Sequence, residues 1–219
     1  MKGIMFIDPL FDAVIKGNKT MTRRILPYID NDLVEGFMFA YSNKFCKDSV
    51  PEGLVRPRYK VGETVYLKEP IKLDIESKTI HLKYSDITVP IELSINFLEI
   101  EKFMKLQNRS KSGYYPKMYI PKWIPKDIFR QIEITGVRFN RLHGISDEDC
   151  MKEGIHDHCD NEYKRINGGH FLYLNGADSK MYDTQKQAFA ALIDRISGKG
   201  TWDSNPYVFA YDFKLLNNK

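Results

Sequence analysis

The run RQIEITGVRFNRL, residues 130–142, alternates apolar and polar side chains over a long stretch. Alternation at period two is the mark of a strand with one covered face. We read it as one strand, kinked at Gly136, where the missing side chain leaves room for a bend or a close neighbour. A strand of this length needs partners, and the chain offers several. GIMFI (3–7) is a short apolar run that reads as a buried strand. TVYLKE alternates after a KVGE turn, and NPYVFAYDFKLL closes the chain as another strand.

Helices are fewer and carry end signals. In DPLFDAVIKG, Asp8 suits an N-cap, Pro9 the first turn and Gly17 the position just past the end. In SDEDCMKEG, Ser146 and Asp149 form a capping pattern and Gly154 ends the helix. TQKQAFAALIDRISG has a second capping pattern in Thr184 and Gln187, with Phe189, Leu192, Ile193 and Ile196 as its apolar stripe. Three stretches read as insertions, at about 28–58, 71–113 and 156–183. The first holds one strand at EGFMFAYS. The second holds hairpin strands such as KTIHLKYSD, and 101–118 reads as a basic, solvated connection. The order is strand, helix, strands, long strand, short helix, helix, strand. No βαβ rhythm is present, so the expected fold is α+β: a single domain over 1–219, built as a compact mixed barrel with helices packed on it.

The 219 residues are 42% apolar, enough for a real core, and the net charge of +4 is compatible with a nucleic-acid or nucleotide partner without arguing for one alone. Three cysteines, Cys46, Cys150 and Cys159, have no framework spacing, which points to a reducing compartment. MKGIMFI is too short for a signal peptide, and no apolar run reaches the roughly 18 residues of a membrane span. The cytoplasm is the expected location, with no membrane partner.

GNKTMTRR, residues 17–24, puts hydroxyls beside cations just past a helix end. Alone it has two readings, a helix-exit turn or an anion-binding or nucleophilic site. Four blocks in register resolve it by resemblance. These are GNKTMTRR, YKVGETVYLKEP, MYIPKWIPKDIFRQIEITGVRFNRLHGISDEDCMKEGI and AFAALIDRISGKGTWDSNPYVFAYDF. Together they resemble the ASCH family, whose domain is a small β-barrel related to the PUA RNA-binding fold. The last two look most like its longer, phage- and prophage-associated branch. The blocks cover roughly half the chain, and matching order makes the resemblance more specific than any one motif.

The resemblance implies a PUA-like barrel that binds RNA or a modified nucleoside or nucleotide. Some small bacterial members are amidohydrolases that remove an acyl group from N4 of acylated cytidine. Their lysine proton acceptor and threonine nucleophile fall at Lys19 and Thr22 here, and their glutamate proton donor at Glu153. This chain differs from them in its long insertions. A non-catalytic, phage-related scaffold or interaction protein is the alternative.

The chemistry sets conditions. Threonine attacks a carbonyl only if a base within about 3 Å takes its proton. Lys19 does so only as the neutral amine, and its ordinary pKa of about 10.4 must fall through burial or cationic neighbours. Glu153 as a donor needs the opposite shift. A close Lys19–Glu153 ion pair would hold both in the wrong form, whereas a shared proton would titrate as one coupled unit.

Thr20 belongs to the site block or to the turn. Arg23 and Arg24 could bind phosphate in two-point fashion or form a surface pair. Glu69 points into a barrel mouth or is an edge charge. Trp202 stacks on a base or closes the core under a helix. Asn205 reads a base edge or makes a turn with Pro206. His156, His158 and Cys159 lack a standard metal spacing, so no metal and no cofactor is expected. KFMKLQNRSKSGYYPK mixes basic and aromatic residues, as an RNA-contacting flap or a solvated loop.

Overall fold

The structure, a computed structural model, describes residues 1–26, 56–90, 97–157, 171–173 and 181–216. The strand expected at EGFMFAYS lies outside them. Among the described residues there are ten strands: β1 Lys2–Met5, β2 Met21–Ile25, β3 Thr64–Lys68, β4 Ile71–Asp74, β5 Thr79–Leu82, β6 Ile87–Pro90, β7 Gln131–Arg141, β8 Ile155–Asp157, β9 Phe171–Tyr173 and β10 Tyr207–Leu216. The helices are α1 Asp8–Ile15, α2 Phe97–Arg109, α3 Asp147–Lys152, α4 Gln185–Ser197 and α5 Thr201–Ser204. The chain is α+β. Among the described residues the sheets are open, with no ring of strands closing on itself.

Two compact units form. The first is Met1–Asp12, Thr64–Glu133 and Leu215–Lys219, and the second is Ala13–Glu63 and Ile134–Lys214. In the first, β1 runs parallel to β3, and β3 pairs antiparallel with the opening residues of β7. A three-stranded meander, β4–β5–β6, turns Ile71, Leu73, Ile80 and Leu82 inward. They pack with Tyr66, Phe103, Tyr115, Ile124 and Phe129.

The stretch expected as a solvated connection is instead helical through Arg109. The reason is one apolar stripe. Ile100, Phe103, Met104 and Gln107 recur at helical spacing, and Phe103 stacks on Tyr115 at 4.1 Å between ring centres. Gln107 is buried and serves as an extra rung for β4. It accepts from Leu73 N at 2.8 Å and donates to Leu73 O at 3.2 Å.

In the second unit, β10 lies between β7 and β2. Burial along β7 changes phase at the expected glycine. Ile132 and Ile134 are buried before Gly136, and Phe139 after it. A Cβ at Gly136 would meet Asp212 Oδ2 at 2.7 Å, so the glycine is where β10 sends a carboxylate across. Ser146 caps α3 by accepting from Asp149 N, and Thr184 caps α4 by accepting from Gln187 N. Phe189, Leu192 and Ile193 of α4 are buried as expected, but Ile196 is exposed and Ala188 takes the fourth inner position. The inner face therefore ends one turn earlier than the apolar pattern.

Candidate functional site

GNKTMTRR begins at a closed helix end. Asn18 N reaches back to Ala13 O at 2.9 Å and Gly17 N to Val14 O at 3.0 Å, with Gly17 at φ +76°. This double bond is the Schellman closure, and its left-handed residue favours glycine. It aims the next residues at the far end of α3. Thr20 N donates to Lys152 O at 2.9 Å, and Thr20 O accepts from Phe213 N at 2.9 Å. Thr20 is thereby held between α3 and β10.

Lys19 is 1% exposed, and its ammonium meets Glu153 twice. It donates to Glu153 Oε2 at 2.6 Å and to the Glu153 backbone oxygen at 2.7 Å. The last carbonyls of a helix are orphan acceptors, and a cation there is favoured. Arg23 adds a second cation, 3.3 Å from Glu153 Oε1 and 2.7 Å from Asp149 Oδ2. Arg138 of β7 completes a chain of charges. It lies 3.2 Å from Asp149 Oδ2 and 3.5 Å from Asp212 Oδ2. The Met21 thioether packs among them, 3.1 Å from Arg23 Nη1.

The shifts follow from this burial. Lys19 is pushed below the ordinary lysine range by desolvation. Glu153 pulls it back up, while Arg24 and Arg23 push it down again. Desolvation raises the Asp149 carboxyl, but the hydrogen bonds and charges of Arg23 and Arg138 together win and hold it below the usual range. Burial pushes the Cys150 thiol up to about 12, so it is an inert part of the core at neutral pH.

β2 distributes its side chains by alternation. Met21 and Arg23 lie against the Asp149 and Glu153 carboxylates, and Thr22 and Arg24 alternate with them along the strand. Thr22 stands across from Tyr211 in the register with β10, and Arg24 across from Phe209. Tyr211 accepts from Arg58 N at 3.0 Å and meets Tyr59 edge-on at 5.3 Å. Arg24 is depressed first by desolvation and then by Arg58, against the pull of Tyr59, Glu153 and Tyr211. Arg24 thus lies within electrostatic reach of both Lys19 and Glu153. Thr22 is 5% exposed.

The structure therefore brings Lys19, Arg23 and Glu153 into contact and holds Thr20 beside them. Trp202 is one residue removed. Its ring lies edge-on to Phe189, whose face is 5.9 Å from the Arg23 guanidinium carbon, and its other neighbour is His143 at 4.4 Å. Asn205 is left-handed at φ 43°, and its amide oxygen accepts from His143 N at 2.8 Å, so it braces that corner. Glu69 belongs to the first unit. It is fully buried and accepts from Tyr84 N, Ser85 N and Ser85 Oγ at 2.7, 2.9 and 2.6 Å, closing the β5–β6 turn.

Asp149 and Arg138 are site members that the sequence reading missed. One signal was available for Asp149. It lies four residues before Glu153, which sets both carboxylates on one helix face. Arg138 carries no local signal, since its partners come from α3 and β10. Among the described residues no group of three His, Cys, Asp or Glu is arranged to hold a metal ion, and His158 and Cys159 lie outside those residues. Also among the described residues, no helix is long and apolar enough to cross a membrane. No known family model matches the chain, and no curated protein or solved structure is significantly similar to it.

Proposed function

We propose that the chain is an ASCH-type protein on a PUA-like barrel, and that it receives a modified nucleoside, free or within RNA, at Lys19, Thr22 and Glu153. The reaction is hydrolysis of an N4-acyl amide of cytidine. One observation carries this reading: a lysine and a glutamate, both nearly inaccessible, share a 2.6 Å contact. Burial lowers Lys19 toward the neutral amine that a proton acceptor needs. Thr22 Oγ1 attacks the acyl carbon while Lys19 Nζ accepts its proton. Glu153 protonates N4, and cytidine leaves. Water then cleaves the acyl-threonine ester to the free acid and restores Thr22. Arg24, on the Thr22 side of β2, supplies a cation for an anionic part of the ligand.

A second reading has its own support. Lys19 also donates to the Glu153 backbone oxygen at 2.7 Å, as a charged clasp on a helix end would. In that case the centre is structural and the chain is a binding or scaffold protein. Incubation with N4-acetylcytidine, followed by chromatography for cytidine, separates the two. Turnover that disappears in Thr22→Val supports hydrolysis. Absence of turnover in the unaltered protein, or equal turnover in Thr22→Val, rejects it and leaves the clasp.

A further inference from the structure

We propose that the first unit carries its own site for single-stranded nucleic acid, on the outer side of the β4–β5–β6 meander and the segment that follows α2. The strand register sets Lys72, His81 and Thr88 in one row, and this row faces away from buried Ile71, Leu73, Ile80 and Leu82. Tyr114 lies against His81 with ring centres 5.9 Å apart. The exposed Lys83 reaches over two rings, its ammonium 5.5 Å from Tyr84 and 5.8 Å from Tyr114. Lys117 covers Tyr84 from 5.2 Å.

Tyr84 is held rigidly. Glu69 accepts its backbone N–H, Asp8 accepts its hydroxyl, and Phe11 packs on its ring at 4.8 Å. Carboxylates border the patch: Asp8 is engaged by Tyr84 and Lys117, Asp86 is exposed at 3.6 Å from His81 Nε2, and Asp74 shares the outer face with Lys72 and accepts from Glu76 N and Ser77 N. The segment after α2 adds Lys111 and Lys117.

Rings alternating with ammonium groups match a strand in which bases alternate with phosphates. A phosphate binds an ammonium by a charge-assisted bond, stronger than the exposed cation–π contact it replaces. Lys83 then moves from the ring faces to the phosphate, and bases stack where it stood. A duplex hides its base faces and gains only the charge. This site uses none of the Lys19 centre, so the two proposals stand or fall separately.

The test is fluorescence anisotropy with labelled oligouridylate and oligothymidylate over a salt series, using the full chain. Lys83→Glu and Tyr114→Leu are each expected to weaken binding at least about tenfold, the size of one lost base stack. Tyr114→Phe should bind as the unaltered protein does. The logarithm of the affinity should fall linearly with log salt, with Lys83→Glu lowering the slope by about 0.7. Preference between the two oligomers identifies RNA or DNA as the ligand. Unchanged affinity in both Lys83→Glu and Tyr114→Leu overturns the proposal. So does equal binding of a duplex or of heparin, or loss of binding in Arg24→Ala alone.

Discussion

The Lys19 ammonium donates to both the side chain and the backbone of Glu153, at 2.6 and 2.7 Å. One residue thus neutralises a buried carboxylate and occupies an orphan carbonyl at the end of α3. Removing the lysine exposes both costs at once. Lys19→Met should destabilise the protein by about 3–5 kcal/mol, the usual penalty for breaking a buried pair from one side. Lys19→Met with Glu153→Leu should cost clearly less than the sum of the two single changes. Urea unfolding of the four proteins measures the coupling, and additivity within about 0.5 kcal/mol would refute the pairing.

The Asp149 carboxyl is held below its ordinary range in the folded chain. Its contribution is therefore complete above the unfolded value of about 3.9 and is lost as pH falls through the lower folded value. Asp149→Asn should lower stability at neutral pH and flatten the acid limb of a stability–pH curve. An acid limb as steep as before would mean that other carboxylates dominate it.

Lys19 gives the opposite limb. Its folded pKa lies below the ordinary 10.5. Between those two values the unfolded chain binds the extra proton, so stability gains as pH rises through that window. The gain should be absent from Lys19→Met. A difference curve between the two proteins, from thermal melts at alkaline pH, isolates it from tyrosine titration.

Gly136→Ala places a methyl group 2.7 Å from Asp212 Oδ2. The aspartate must leave, and with it the 3.5 Å contact to Arg138. The expected loss is about 1–3 kcal/mol, as for other overpacked sites. Adding Asp212→Ala should recover part of it by removing the clash. No recovery in the double variant would place the strain in the backbone of β7 instead.

Leu192 and Ile196 share one apolar stripe in the sequence but differ in exposure, 1% against 41%. Leu192→Ala should cost about 2–5 kcal/mol, the range for emptied core sites. Ile196→Ala should stay within about 0.5 kcal/mol. Similar melting temperatures for the two variants would contradict the observed end of the α4 core face.

Local features of this chain were legible because each is set by neighbours in sequence. The cap at Ser146, the cap at Thr184 and the left-handed Gly17 all follow from residues within one helical turn. The single long strand through Gly136 was legible too, from its period-two pattern. What escaped was long-range or amphipathic at low contrast. The α2 stripe is diluted by five charged side chains between Phe97 and Arg109, so its composition resembles a solvated loop. Asp149 looked like a member of the cap, and only the arrival of β2 and β7 shows that it serves Arg23 and Arg138. Ion pairs have no period, so distant partners cannot be found by spacing.

The pairing of Lys19 with Glu153 spans 134 positions of the chain. During synthesis the first strand and helix emerge long before their partner does. Until then Lys19 has no reason to leave water, because burying a lone ammonium is strongly unfavourable. The GNKTMTRR segment therefore closes onto α3 late, after β10 has also arrived to bond Thr20. A truncated product that ends before residue 153 leaves this segment hydrated, accessible to proteases and to lysine-modifying reagents. Labelling of Lys19 in ribosome-arrested chains would then work as a clock for completion of the second unit.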